Sequence, residues 1–533
     1  METTRETTRD LDRMLDWGWL PLFLLLVAVS LLIRPLMPVD ETRYLGVAWE
    51  MWQSGSWVVP LLNGEPYSHK PPLLFWLIHA GWAVFGVNEI TPRLVAPGFA
   101  LGSLFLVRAI AARMVPQRPL VSRLTPWILA GTIYWAGFAT LTLFDQLVVF
   151  FVLLGVFGLL ELGRGWRRGW LWLFLGTALG ALAKGPFALI YLVPLTVAAP
   201  WWAGVSLSWR WFAKAGTVGF LGSAVALGWA LWAASLGGPA YAEAILWGQV
   251  AGRTVHAFAH AQPLYYYLWV LPLLFLPWTL MLPLIWRRSI EWPEPYKGRL
   301  TAMLLAWVGF PCFVLSLASG KLPHYLLPML PALALATAVG LANRDDHSLR
   351  GWPAAILWLA LGLAVVMLPW VGGSALMDML PAWVSLLGLA LVVLAVWPGW
   401  LWVARSLVRR VIIITATTMV GLLLLQLALA PLRPAFDAGA FATRLGDWQR
   451  AGHSIAFVGK YRDEYNFTGR LVRPLVVLSD DEGSVAGFCA RAPEGIVVQR
   501  LHSPALPAAA LAATRFRSKH DVALPCSVFV GAS

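Results

Sequence analysis

The sequence predicts a polytopic α-helical membrane protein with a small α/β domain at its carboxyl end, and three observations predict it. Hydrophobic residues make up 59% of the 533 positions and charged residues only 13%, against about 25% charged in an ordinary soluble domain. No soluble fold covers that much apolar surface. The apolar residues fall in runs close to the roughly twenty needed to cross a hydrocarbon core of about 30 Å. Lysine and arginine gather in alternate gaps between those runs, which is the positive-inside pattern. Many of the 32 tryptophans flank the runs, as Trp166, Trp170, Trp201, Trp202 and Trp286 do, where indoles favour the bilayer interface.

Taken in order, the predicted spans are Trp17 to Leu36, Thr91 to Met114, Ser122 to Leu141, Asp145 to Leu162, Trp170 to Ala183, Pro186 to Ala203 and Trp211 to Leu236. Six more follow: Pro263 to Trp286, Leu300 to Ala318, Pro323 to Leu341, Trp352 to Trp370, Leu380 to Leu401 and Val408 to Ala430. That is about 13 transmembrane helices, the fifth and sixth separated only by Lys184 and Gly185. No small-residue cleavage site follows Leu36, so the first span is read as an uncleaved anchor with its amino terminus inside. The gaps then counted as outer hold only Arg43, Lys70, Arg93, Lys184, Arg253 and Lys321. An odd number of crossings places everything after Ala430 outside.

Two outer gaps are long. Residues 37–90 carry two part-apolar segments, Glu41 to Gln53 and Pro72 to Val84, that read as helices lying on the membrane. In residues 237–262, Tyr241 to Val250 reads as a third. The division is therefore a membrane domain over residues 1–430 and a soluble α/β domain over residues 431–533. In the latter, an amphipathic run from Phe441 to Ala451 precedes β-rich pieces at Ser454 to Val458, Leu471 to Leu478 and Gly495 to Val498. Its Cys489 and Cys526 either pair in an oxidising compartment or remain free thiols, and the sequence leaves both open.

A net charge of +13 does not mean nucleic acid here, because the basic residues build no continuous patch. There is no phosphate-cradling P-loop, dinucleotide fingerprint, metalloprotease helix or nucleophile elbow, which argues against a nucleotide-driven pump.

The informative charges are the few in the outer gaps. Asp40, Glu41, Arg43 and Tyr44 follow Pro38 at the outer end of the first span; two carboxylates and a guanidinium can bind a divalent cation, act as a general base or orient a polar acceptor. Helix capping, with Arg43 on Glu41 or on lipid phosphate, is the plain alternative. Tyr67, His69 and Lys70 put an imidazole and an ammonium before the second surface helix, where a lysine holds phosphate as a point charge or meets a lipid headgroup. Asp145 heads the fourth span as an expected N-cap. Lys184, Arg253 and Lys321 complete the outer basic set, with snorkelling as the bland alternative. Five cationic side chains on one face suggest a common anion. His256 and His260, four apart, share a helix face; without a third ligand of convincing spacing they read as polar packing near Tyr265, Tyr266 and Tyr267.

Together Asp-Glu-x-Arg-Tyr after the first span, Lys-Pro-Pro before the second, Ala-Lys-Gly-Pro, and Gly-Lys-Leu-Pro-x-Tyr-x-Leu-Pro-x-x-Pro resemble the membrane glycosyltransferases of the protein mannosyltransferase superfamily. The nearest branch in appearance is the bacterial 4-amino-4-deoxy-L-arabinose transferases that modify lipid A. The resemblance implies a GT-C fold in the bacterial inner membrane, a sugar donor linked through phosphate to undecaprenol, and transfer to lipid A or another envelope acceptor on the periplasmic side. It implies that Asp40 and Asp145 occupy the family's two acidic positions and that Lys70 and Arg253 hold the carrier phosphate. Lys184 then matches a further basic position of the cavity, and Tyr67 and Tyr325 match aromatic positions near the donor. Tyr44, His69, His256, His260 and Lys321 complete the candidate cavity, and a divalent metal ion is a possible cofactor. One departure stands out: His69 occupies the position before Lys70, where the aminoarabinose branch usually carries glutamate. Two rivals remain on this reading: a lipid flippase or transporter, and the same enzyme class with another sugar and a protein or envelope-glycan acceptor.

Overall fold

The computed structural model describes residues 12–248, 261–281, 296–342, 352–371, 379–401, 407–502 and 506–530. The chain begins with α1 (Trp19–Ile33) and passes into the long loop over residues 37–90, read from sequence as outer. There α2 (Asp40–Ser54), a two-stranded hairpin of β1 (Leu61–Leu62) and β2 (Glu65–Pro66), and α3 (Leu73–Phe85) follow one another. The two helices of this loop lie within a residue of the segments read from sequence.

The bundle continues with α4 (Ile90–Met114), α5 (Pro119–Ala130), α6 (Ile133–Phe138), α7 (Asp145–Gly163), α8 (Gly169–Lys184), α9 (Phe187–Val197) and α10 (Trp209–Gly237). After α11 (Tyr266–Leu274) come α12 (Lys297–Leu317), α13 (Pro323–Ala342), α14 (Trp352–Met367), α15 (Val384–Leu401) and α16 (Leu407–Leu429). Among the described residues, six helices are long and apolar enough to cross a bilayer: α4, α7, α10, α12, α13 and the one that starts at Leu407. Shorter apolar helices accompany them.

Several predicted spans differ in form. The eighth, Pro263 to Trp286, is an α-helix over Tyr266–Leu274 and a 3-10 turn over Trp278–Met281, and its last residues lie outside the described residues. The third, Ser122 to Leu141, is broken at Gly131 and Thr132 into α5 and α6, where Thr132 spends its hydroxyl on the Ile128 carbonyl. The sixth ends at Val197 and resumes as a single turn over Ala199–Trp202. The third predicted surface helix is a short α-helix, Pro239–Glu243, running into a π-turn, Ala244–Gly248; its last residues lie outside the described residues.

Helices α7 and α8 form an antiparallel hairpin held very close by glycine. A Cβ on Gly169 would stand 2.4 Å from the Gly158 carbonyl oxygen, and one on Gly176 would stand 2.7 Å from that of Phe151. In lipid, where apolar burial does not drive helices together, such small-residue contacts do. At the foot of this hairpin, Glu161 takes Arg113 at 2.6 Å and Arg168 at 3.0 Å. On α7 the rise from Asp145 to Glu161 is about 24 Å, which sets that cluster at the other end of the helix from Asp145.

Beyond α16 lies an α/β unit. A sheet in the order β4-β3-β5-β7-β6 contains β3 (Ile455–Val458), β4 (Val476–Leu478), β5 (Ile496–Leu501), β6 (Ala512–Phe516) and β7 (Lys519–Pro525). The first three pair in parallel and the last two add antiparallel. The period of two splits β3 between two cores. Ile455 and Phe457 face α17 (Gly439–Arg450), while Ala456 and Val458 face α18 (Glu482–Arg491). Cys489 and Cys526 form a disulfide between α18 and the end of the sheet. The β-rich stretch read over Leu471 to Leu478 is a strand only from Val476: Gln449 binds the Val472 and Arg473 amides through its side chain, and Trp49 takes the Leu471 carbonyl.

Candidate active site at one mouth of the bundle

Asp145 opens α7 and Lys184 closes α8, so the close antiparallel packing of the two helices sets these side chains side by side. Their Nζ–Oδ1 distance is 2.6 Å, with each side chain only 8% exposed. The N-cap expectation for Asp145 is overturned: the helix start has no side-chain cap, and the carboxylate is spent on Lys184. Lys184 ends its helix because Gly185, at φ +66°, turns the chain as other residues rarely can. The ammonium lies over two aromatic faces, Phe187 at 4.7 Å and Tyr325 at 4.9 Å. His324 stands edge-on to Tyr325 and stacks on Phe138.

On the other side of Asp145, Phe144 connects this pair to the first outer loop. Its ring meets Tyr44 at 4.9 Å and Phe75 at 5.6 Å. Lys70 lies over Phe144 at 5.5 Å and over Tyr44 at 5.9 Å. Tyr67 is buried, with its ring 5.2 Å from that of His69. Arg43 binds Asp40, whose carboxyl is 57% exposed, and lies over Tyr44 at 5.3 Å. Asp40, Arg43, Tyr44, Tyr67, His69, Lys70, Asp145, Lys184 and Tyr325 thus form one continuous rim. Arg43, Lys70 and Lys184 lie along it, Arg43 on Asp40 and Lys184 on Asp145.

Two candidates stand apart. Glu41 is buried, with its oxygens taken by Arg34, by the Met37 amide at 3.0 Å and by the Thr142 amide at 2.7 Å. Burial works to raise its pKa, but the Arg34 charge and these hydrogen bonds outweigh it and hold the carboxyl below the ordinary range. Glu41 therefore fastens the loop to the α6–α7 connection, and Arg34 is its partner rather than Arg43. Lys321, also buried, donates to the Gln262 and Ala318 carbonyls at 2.8 and 2.6 Å, which ties two chain segments together. Arg253, His256 and His260 lie outside the described residues.

The described part of the rim holds no metal-binding cluster. Arg43 and Lys184 already occupy its two acids, and among the described residues no three of histidine, cysteine, aspartate and glutamate come together. Phe144, Phe187 and His324 were not singled out from sequence. Phe144 and His324 do sit beside chosen residues, and adjacency was the one available signal.

With this geometry in view, the likeness to solved structures is decisive for the fold. ArnT from Cupriavidus metallidurans bound to undecaprenyl phosphate superposes with a TM-score of 0.75 over 95% of this chain and 98% of that one, at 19% identity. The fold is GT-C. No family model matches the chain. Curated relatives of this GT-C protein include an undecaprenyl phosphate-alpha-4-amino-4-deoxy-L-arabinose arabinosyl transferase of Pseudomonas paraeruginosa. It is 32% identical over 363 residues, 66% of this chain and 65% of that protein. The transferase 2 of Pseudomonas fluorescens is 32% identical over 332 residues, 61% of this chain and 59% of that protein. The chain spans less than two thirds of the length of these relatives.

Proposed function

We propose that this GT-C protein transfers a sugar, 4-amino-4-deoxy-L-arabinose on the nearest reading, from an undecaprenyl-phosphate carrier to lipid A at the outer face of the bacterial inner membrane. The observation that carries it is the rim itself: Lys70 over two aromatic rings, next to a buried Asp145–Lys184 pair, at the outer end of an apolar bundle. The relatives' names supply the donor and the sugar.

In the reaction, the bond from the sugar's anomeric carbon to the carrier phosphate breaks and one to the acceptor oxygen forms. The carrier leaves as a phosphate monoester with one more negative charge, so cations that tighten on that charge lower the barrier. Lys70 takes this role together with Arg253, and Lys184 lends its charge from the paired position beside Asp145. An acceptor hydroxyl loses its proton to Asp40, the exposed acid of the rim; an acceptor phosphate, already anionic, needs only positioning by Arg43 and Asp40. Tyr67 and Tyr325 stand near the donor, and the Tyr44 ring holds Arg43 and Lys70 over it.

The topology that fits this chemistry has thirteen spans, an inner amino terminus and the α/β unit of residues 431–533 outside, in contact with the loop over residues 37–90. The charge bias of the gaps supports that orientation, as does a disulfide that needs an oxidising compartment. His69 favours a second reading, the same chemistry on a different sugar or acceptor, because the aminoarabinose branch usually has glutamate there. Mass spectrometry of lipid A decides between them, in a host that makes the lipid-linked aminoarabinose but lacks its own transferase. A gain of one aminoarabinose, lost with Asp40→Asn, is expected; no gain from correctly inserted protein moves the reading to another sugar or acceptor.

A further inference from the structure

The first outer loop and the C-terminal unit meet along a seam, and at its centre two acids face each other. Glu50, near the end of α2, accepts the Asn63 and Gly64 amides of the β1–β2 turn at 2.8 Å each, and the Asn466 side-chain amide from the C-terminal unit. Asp463, wholly buried, accepts the same Asn63 amide at 3.2 Å through Oδ2. A single N–H therefore faces oxygens of two carboxyls, at 2.8 Å from Glu50 and 3.2 Å from Asp463. The second oxygen of Asp463, Oδ1, is buried and receives no hydrogen bond among the described residues. Asp463 packs closely on α2, where a Cβ on Gly46 would come within 2.8 Å of its own Cβ.

Two carboxylates this close and this buried repel; one proton between them replaces the repulsion with a short O–H···O⁻ bond. The hairpin that they hold leads directly to Tyr67, whose amide binds the Pro60 carbonyl at 2.7 Å, and on to His69 and Lys70. Across the same seam, Asn63 pairs its side chain with both backbone groups of Leu475.

We propose that Glu50 and Asp463 share one proton and act as a positioning latch, through which the C-terminal unit holds the hairpin that carries Tyr67, His69 and Lys70. Its effect on rate rests on Lys70 holding the carrier phosphate; the latch itself does not. The charged groups nearby reinforce the need for that proton. Glu464 adds a third acid beside Asp463, balanced in part by Arg500 at 3.8 Å, which is itself bound to Asp521. Arg470 stands over Trp49, and His79 binds the Ala48 carbonyl, both on α2.

Burial, and for Asp463 the charge of Glu50 after it, raises the pKa of both acids above the ordinary carboxylate range. A raised pKa in the docked state means that the latch is fully formed at acid pH and is lost as pH rises through the raised value, when the shared proton leaves to water. Each pH unit above that point costs about a factor of ten in docking.

The test is amide hydrogen exchange at Asn63 and Gly64 in the full chain in lipid nanodiscs, corrected for intrinsic rates, from about pH 6 to about pH 9. Wild-type protection falls by about tenfold or more over that range. Asp463→Asn and Glu50→Gln, whose amide protons do not titrate, keep it level. Flat wild-type protection overturns the latch, as does an undiminished fall in both variants. If either variant fails to fold, the wild-type profile still decides. Transfer assays on the same samples lose their alkaline decline in the variants. A pH-dependent latch with no glycosyl transfer under any condition would leave the latch standing and remove the functional reading instead.

Discussion

Asp40 and Glu41 are adjacent acids with opposite surroundings, and the difference separates chemistry from scaffolding. Asp40 lies 57% exposed beside Arg43, whereas the Glu41 side chain is 2% exposed and bound to Arg34 and two amides. Removing one partner of such a buried pair costs about 3–5 kcal/mol. Glu41→Ala is therefore expected to lower the melting temperature of the detergent-solubilised protein sharply and to lose transfer with the fold. Asp40→Asn is expected to melt near wild type and lose transfer alone. Equal melting of the two would remove the distinction. The pH dependence has a definite sign: the folded Glu41 pKa is depressed, so its contribution is present above the ordinary glutamate range and is lost as pH falls through the lowered value. An acid melting series with wild type and Glu41→Ala should converge there.

At the scale of elements, the site exists because α7 and α8 approach closely enough to bring Asp145 to Lys184. Gly176→Leu places a side chain where a Cβ alone meets the Phe151 carbonyl oxygen at 2.7 Å. Overpacking of this kind costs about 1–3 kcal/mol, and it moves the two charged ends apart. Transfer should fall at least about tenfold, since a 1.4 kcal/mol loss at the transition state is that factor. Gly98→Ala, with nothing within 4 Å of the added atom, should leave transfer unchanged. If Gly176→Leu also transfers normally, helix approach does not govern the site.

Elements of this kind are the most legible part of the sequence, because hydrophobic length is a strong signal and survives small errors at the ends. Helix α8 lies within a residue of the stretch from Trp170 to Ala183, and α10 within two of Trp211 to Leu236. The break inside α5–α6 was not visible, since Gly131 and Thr132 are tolerated in a membrane helix and only the tertiary contacts decide. β6 and β7 were missed because Thr514, Arg515, His520 and Asp521 interrupt the apolar pattern; Asp521 is buried there on Arg500 and Tyr465. The same limit applies at the site. Motif residues announced themselves by being charged in apolar surroundings, but their partners did not: Arg34 for Glu41, Phe144 for Lys70, and Asp463 for Glu50 depend on contacts between distant segments.

For the whole molecule, the arrangement requires the C-terminal unit and the rim to stand on one side of the membrane. The seam of Trp49, Asn63 and Trp82 with Leu471, Leu475 and Phe467 makes that joint specific. Parity then couples the seam to the number of crossings. With the amino terminus inside, thirteen spans put residue 533 outside with the first outer loop, and twelve or fourteen would separate them. Alkaline phosphatase, which folds only where disulfides form, distinguishes these cases when fused after Ser533 and after Arg168. The thirteen-span arrangement gives high activity for the first fusion and little for the second. The opposite pattern would place Arg167 and Arg168 outside, against the bias that sets orientation, and would move the rim to the inner face. A low signal from both fusions would instead mean an even number of crossings, and the seam with residues 37–90 could not form. Because Cys489 and Cys526 bond only in the oxidising compartment, a second reading of the same fact is available. Both cysteines are buried, so membranes are denatured in the presence of a thiol-reactive probe: Cys489 should resist it until a reductant is added, while a Cys489 labelled without reductant would put the unit inside.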